Sequence, residues 1–263
     1  NEFEPVSAKA WKQKIQLDLK GADYNETLIW NSPESIDVKP FYSSEDIKNT
    51  TSLFNADHNW QICQTIHVEN TKEANLKALD VLNKGAESLN FVIANEEINA
   101  LELLKNIDLK NVPIFFELEF LSSTYALTLN NIAEEENAIF YLQIDIVGHL
   151  AESGNWLENL KEDHIVLKHI IANCKSLKSS VSINVSLYQN SGANITQPLS
   201  YAFAHTNEYF NHFGDTIKNN LLFKVSVGSN YFFEIAKLKA LRLLWNTLAS
   251  EYYSNPLSCI IKV

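Results

Sequence analysis

The chain has 263 residues, of which 46% are hydrophobic and 20% are charged, and its formal net charge is −11. This length is sufficient for one domain with a large buried core. The negative charge disfavours nucleic acid and anionic membrane surfaces as partners, and no apolar run reaches the roughly 18 residues of a membrane-spanning helix. We therefore expect a cytoplasmic protein that binds neither nucleic acid nor a membrane.

Residues 1–59 predict an N-terminal helical and extended arm that precedes the repeating part of the fold. A helix is expected at 7–20, with Ser7 as its N-cap. Two short extended segments are expected at 27–30 and 36–39, with a turn between them.

Strand-like and helix-like segments alternate over residues 60–263, which form the predicted second domain. The strands are predicted at 61–68, 88–94, 112–120, 138–147, 180–187, 221–227 and 257–263, and the helices at 72–83, 97–106, 123–133, 156–176, 195–213 and 231–252. This alternation implies parallel βαβ units, and no glycine-rich phosphate loop follows the first strand. The pattern therefore predicts an α/β fold, a (β/α)8 TIM barrel that is seen to about strand seven and is incomplete at its C-terminal end.

Several predicted strands alternate apolar and polar residues. Because alternate side chains point to opposite faces, the apolar set is expected to pack on the helices and the polar set to face the barrel lumen. The candidate substrate or lumen residues are Gln143, Asp145, Ser182, Asn184, Ser186, Tyr188, Gln189, Lys224 and Ser226. Lys224 is expected to pair with Asp145, since an unpaired buried charge is costly. The set indicates either an internally hydrogen-bonded core or a polar passage for a ligand.

Other chemistries are weaker alternatives. A buried Lys224 is able to form a Schiff base with a carbonyl substrate, and His149 and Glu152 follow the fourth strand, at the face where barrel enzymes act. His164 and His169 are five residues apart, which does not align two metal ligands on one helical face, so we expect them to be solvated. No metal site is predicted.

Three segments resemble the adenosylcobalamin-dependent acyl-CoA mutases of the methylmalonyl-CoA type. They are FFEIAKLKALRLLW at 232–245, SLYQNSGAN at 186–194 and WQICQTIHVENTKEAN at 60–75. With shorter matches at 19–30 and 85–91, the resemblance covers nearly the whole chain. It implies an isomerase complex that uses adenosylcobalamin (vitamin B12) to interconvert methylmalonyl-CoA and succinyl-CoA, with the radical chemistry carried by the cofactor.

Three residues that, by the resemblance, orient the substrate in the catalytic subunits are replaced in this chain. Those subunits read Trp-Thr-Ile-Arg-Gln-Tyr where this chain has Trp-Gln-Ile-Cys-Gln-Thr, so Cys63 replaces the arginine and Thr65 the tyrosine. Gln189 replaces the histidine that, by resemblance, hydrogen-bonds the thioester carbonyl. The Asp-x-His-x-x-Gly motif of the cobalamin domain occurs nowhere in the sequence. The pattern is similar to the small subunits of heterodimeric bacterial mutases, which implies no catalytic residue and no cofactor bound by this chain.

The resemblance also implies a partner, and three hypotheses remain open. The first is a structural, non-catalytic subunit that forms a heterodimer with a large catalytic subunit, with the arm at 1–59 contacting that subunit or packing on its own barrel. The second is a catalytic mutase of altered specificity that binds another acyl-CoA in the polar lumen. The third is an unrelated barrel enzyme that uses Lys224 or the His149 region.

Overall fold

The computed structural model describes residues 6–46, 60–217, 221–253 and 259–263. Its contacts divide the chain into two compact units, Asn1–Ala56 and Asp57–Val263. The end of the predicted arm, at 47–59, and the start of the last predicted strand, at 257–258, lie outside the described residues.

The first unit contains α1 Ala8–Asp18, α2 Tyr24–Leu28, the strands β1 Trp30–Asn31 and β2 Asp37–Val38, and a 3₁₀ turn at Ser44–Asp46. Helix α1 begins after Ser7, whose hydroxyl accepts a hydrogen bond from the Ala10 amide at 3.2 Å. The extended segment predicted at 27–30 is wrong in its first half, because Asp23 caps a helical turn that runs to Leu28. Strands β1 and β2 pair antiparallel.

The second unit alternates strands and helices. The strands are β3 Cys63–Val68, β4 Ser88–Ile93, β5 Ile114–Leu118, β6 Phe140–Gln143, β7 Val181–Asn184, β8 Leu221–Lys224 and β9 Ile260–Lys262. The helices are α3 Thr71–Asn83, α4 Ala100–Leu103, α5 Ser123–Glu136, α6 Ile146–Ser153, α7 Leu160–Asn173, α8 Ser186–Asn190, α9 Thr196–Phe213 and α10 Tyr231–Tyr252, with a 3₁₀ turn at Gly214–Ile217.

The strands of this unit are parallel and follow chain order. One ladder runs β3-β4-β5-β6 and a second runs β7-β8-β9. Between the ladders, the Leu142 amide donates to the Ser179 carbonyl at 2.9 Å, and the Ser182 amide donates to the Ile144 carbonyl at 2.8 Å. The predicted α/β class with parallel strands is confirmed.

The face of the sheet toward the helices is apolar, as the alternation predicts. Phe91, Phe116 and Phe140 are fully buried there, with ring centroids 6.2 Å apart for the first pair and 5.1 Å for the second. Truncating one such buried ring to alanine costs about 3–5 kcal/mol. This packing leaves the opposite side, here called the inner face, for the polar side chains.

Three predicted strands end three or four residues earlier than expected. Asp145 lies beyond β6 and caps α6, Ser186 begins α8, and Ser226 follows β8. The physical reason is clearest at Asp145, whose carboxylate accepts the Gly148 amide at 2.8 Å and so favours a helix start over another ladder residue. These residues therefore lie at loops and helix ends rather than inside a strand.

Candidate functional site

A cavity of about 680 Å³ opens at the carboxyl ends of strands β5 to β8. Six of the nine candidate residues line it, namely Gln143, Asp145, Ser182, Asn184, Ser186 and Lys224. The lining also includes His149 and Glu152 from α6, together with Glu117 and Glu119. The ends of parallel strands are where α/β proteins form ligand sites, so this cavity is the candidate site.

Lys224 pairs with Glu117 and not with Asp145. Its ammonium lies 2.5 Å from Glu117 Oε1, so the expected Lys224–Asp145 pair is wrong. Strands β5 and β8 are three spacings of roughly 4.8 Å apart in sheet order, which two side chains span only if the sheet curls strongly. Sequence reasoning missed Glu117, although a lone carboxylate in the apolar strand β5 was an available signal.

A hydrogen-bonded network extends from this pair over the inner face. Asn90 Nδ2 donates to Glu117 Oε2 at 3.3 Å and to Thr65 Oγ1 at 3.4 Å, and Gln143 Nε2 donates to Asn90 Oδ1 at 2.7 Å. Lys262 Nζ donates to Gln143 Oε1 at 3.4 Å. Side chains from β3, β4, β5, β6 and β9 are thereby joined, and Lys224 adds β8.

The charged members of the network have shifted pKa values. Burial alone would raise the pKa of Glu117, but Lys224 and Lys262 hold it below its usual value. Burial lowers the pKa of Lys262 to about 8, against the attraction of Glu117. Asn90 and Lys262 were not among the sequence candidates. Lys262 is the one charged residue of the last strand, and no local sequence pattern singles it out. Its contacts in the structure identify it as a member of the network.

Asp145 is a structural anchor in the cavity wall. Its carboxylate accepts hydrogen bonds from the Gly148 amide at 2.8 Å, from the Asn184 amide at 2.7 Å and from the Tyr209 hydroxyl at 2.7 Å. Burial and the nearby Asp145 charge raise the pKa of Tyr209 well above its usual value. The carboxylate therefore ties together α6, the end of β7 and α9.

Tyr188, Gln189 and Ser226 are not among the residues that line the cavity. A hydrogen bond of 2.7 Å joins the Tyr188 hydroxyl to His205 Nε2. The Ser226 carbonyl accepts a hydrogen bond of 2.6 Å from Lys237 Nζ. These three candidates therefore form hydrogen bonds outside the cavity and do not line it.

Gln189 is locked into a buried ion pair at the start of α10. Lys237 and Glu234 lie 2.5 Å apart with side chains 1% and 8% exposed. Gln189 donates to Glu234 Oε1 at 3.1 Å and accepts from Lys237 Nζ at 2.7 Å. Burial alone would raise the pKa of Glu234, but Lys237, the Gly228 amide and Gln189 lower it. The i,i+3 spacing of the pair was a signal that sequence reasoning did not use.

The remaining sequence candidates form no further site. His164 is buried beside Trp156, which corrects the expectation that it is solvated, whereas His169 is exposed. Among the described residues, no group of three or more histidine, cysteine or carboxylate side chains is arranged to hold a metal ion. In the same part of the chain, no helix combines the length and apolar character needed to span a membrane.

Comparisons with known proteins identify relatives over nearly the whole chain. A family sequence model described as Methylmalonyl-CoA mutase matches residues 92–263. The methylmalonyl-CoA mutase small subunit of Porphyromonas gingivalis is 33% identical over 96% of this chain and 45% of its own length. The methylmalonyl-CoA mutase of Cereibacter sphaeroides is 23% identical over 92% of this chain and 42% of its own length. The large subunit of Streptomyces virginiae is 22% identical over 94% and 41%.

The chain spans less than half the length of these relatives. A solved structure of Plasmodium falciparum HPPK-DHPS matches with a TM-score of 0.42 and 12% identity, over 74% of this chain and 35% of that one. So low a score supports no conclusion. The family match runs from residue 92 to the last residue of the chain, and this protein therefore belongs to the methylmalonyl-CoA mutase family.

Proposed function

We propose that this chain is the barrel domain of a small, non-catalytic subunit that pairs with a large catalytic subunit in a methylmalonyl-CoA mutase complex. The observation that carries the proposal is the hydrogen bonding of the Gln189 side chain. It stands where the family resemblance implies a substrate-binding histidine, and both ends of its amide are bound to Glu234 and Lys237. A side chain held in this way does not reach a thioester carbonyl in the cavity.

The other two replaced positions support the same conclusion. Thr65 Oγ1 accepts a hydrogen bond from Asn90, and Cys63 is a half-buried free thiol. Neither side chain supplies the phenol of the tyrosine or the guanidinium of the arginine in the catalytic subunits. The residues present do not fit a mutase active site, and we derive no catalytic step for this chain.

The electrostatics of the cavity disfavour coenzyme A. Its lining includes three carboxylates that form no ion pair in the described part of the chain, those of Glu119, Asp145 and Glu152, against one lysine, Lys224. Coenzyme A is a polyanion, and like charges in a partly enclosed site oppose its binding. By the family resemblance, adenosylcobalamin is held through an Asp-x-His-x-x-Gly motif in a separate cobalamin domain, and this motif does not occur in the given 263 residues. In the proposed complex, both ligands belong to the large subunit.

The curl of the sheet supports a (β/α)8 barrel as the architecture. Lys224 on β8 contacts Glu117 on β5, and Lys262 on β9 lies 3.9 Å from the same carboxylate. We include in the proposal an N-terminal arm at 1–59 that contacts the large subunit, with exposed Trp11 and Trp30 as candidate contact residues. The three free cysteines are consistent with a reducing, cytoplasmic location.

The test compares this chain alone, a large mutase subunit alone and the mixture. We expect the two chains to co-elute in size-exclusion chromatography with light scattering as a one-to-one complex. Conversion of methylmalonyl-CoA to succinyl-CoA with adenosylcobalamin should require the large subunit. Turnover by this chain alone would refute the non-catalytic role, and failure to form a complex would refute the partner assignment.

A further inference from the structure

The inner face holds two lysines for one contacting carboxylate. Lys224 and Lys262 are register partners on β8 and β9, and both approach Glu117, at 2.5 and 3.9 Å. Asp145 forms no ion pair with either lysine; its carboxylate accepts hydrogen bonds from the amides of Gly148 and Asn184 and from the Tyr209 hydroxyl. In the described part of the chain, this group therefore carries one excess positive charge.

Lys262 is the lysine with the incomplete environment. Its side chain is 8% exposed, and the one hydrogen bond that its ammonium group makes within the described residues is a long one, 3.4 Å, to Gln143 Oε1. The Phe115 ring, 5.6 Å away, adds a cation–π contact. An ammonium has three donors, and a buried cation without full pairing is unfavourable. A negatively charged group near Lys224 would complete the pairing.

The mouth of the same cavity has the opposite charge. Glu119, beyond the end of β5, and Glu152, in α6, are both exposed and line the cavity together with the half-buried Asp145. No ion pair in the described part of the chain involves these three carboxylates. Lys224 lines the cavity, and Lys262 lies behind it in contact with the lining residues Glu117 and Gln143. The excess positive charge is therefore at the inner end of the cavity and the negative charge is at its rim.

We propose that this cavity binds a small zwitterionic carboxylic acid, with its carboxylate on Lys224 in front of Lys262 and its ammonium group at the rim carboxylates. Ser182, Asn184 and Ser186 line the wall and supply further hydrogen-bonding groups. A fatty acid without an amino group would contact the lysines at the inner end but gain nothing from the rim carboxylates. A simple cation would contact the rim carboxylates only, and a polyanion would be repelled by them. The site lies within this chain and requires no partner subunit.

The test is isothermal titration calorimetry of this chain with β-alanine, 4-aminobutyrate and 6-aminohexanoate, against propionate, butyrate and hexanoate as chain-matched acids. At least one amino acid should bind tenfold or more tightly than its matched acid, because its ammonium group gains a charge-assisted contact. Coenzyme A should bind more weakly than that amino acid.

Variants then identify the two ends of the site. Lys262→Met retains the Lys224–Glu117 pair, so the chain should fold, and it should weaken binding of the amino acid at least tenfold. The double variant Glu119→Gln, Glu152→Gln changes only exposed side chains, so it should fold. It should bind the amino acid no more tightly than the chain-matched acid. Lys161→Met, at an exposed site on α7, is the control and should change nothing.

Three results would overturn the proposal. They are no binding of any amino acid at millimolar concentration, equal binding of amino acids and matched acids, and tighter binding of coenzyme A. If Lys262→Met does not fold, the rim variant decides by itself, and an unchanged preference in that variant also overturns the proposal.

Discussion

Gly148 is the position where a single methyl group should displace the most structure. A Cβ at this residue would lie 2.6 Å from Asp145 Cγ and would overlap Oδ2. The carboxylate cannot move away cheaply, since it holds the Asn184 amide and the Tyr209 hydroxyl at 2.7 Å each. Losing these two charge-assisted hydrogen bonds, worth about 1.5–3 kcal/mol each, predicts that Gly148→Ala destabilises the protein by about 3–5 kcal/mol.

The assay is urea unfolding monitored by circular dichroism, performed as a double-mutant cycle. In an Asp145→Ala background the carboxylate is absent, so Gly148→Ala should cost nothing or stabilise the helix by up to about 1 kcal/mol, because alanine is the better helix former. The same cost in both backgrounds, or a cost below about 1 kcal/mol in the wild-type background, would refute the reasoning.

Two further predictions concern Gln189 and Lys262. Gln189→His should lower the free energy of unfolding by about 1–3 kcal/mol, because the two ring nitrogens point in different directions from the amide atoms and do not keep both bonds, to Lys237 and to Glu234. The variant should also create no mutase turnover; stabilisation in urea unfolding, or activity of the variant alone, contradicts this. The pKa of Lys262 in the folded protein, about 8, lies below the ordinary lysine value of 10.5. The unfolded chain therefore binds more protons between these two pH values, and stability rises with pH there. Relative to Lys262→Met, the wild type should therefore gain stability from pH 8 to 10.5, by up to about 3 kcal/mol, and a flat or falling difference in thermal or urea unfolding would contradict the burial of this amine.

Local patterns in the sequence predict much of the fold. Asn70 caps α3 by accepting the amides of Lys72 and Glu73, as its capping-box spacing indicates. The alternation in Val181–Asn184 predicts which side chains pack on the helices, because side-chain direction has a period of two in any strand. Four of the six candidates that line the cavity, Gln143, Ser182, Asn184 and Lys224, lie in strands and follow the same rule.

The sequence by itself therefore determined the order of the strands and of six of the eight helices described after residue 60, the polar inner face and the family, since each depends on neighbouring residues or on a recognisable run of them; helices α6 and α8 were not predicted. Only the tertiary structure decided which charges meet. Glu117 and Lys224 are 107 residues apart and Gln189 and Glu234 are 45 apart, and no local spacing encodes such pairs. They form because a curled parallel sheet brings distant strand ends together, and a charge buried there takes the nearest opposite charge rather than the one that sequence alternation suggests.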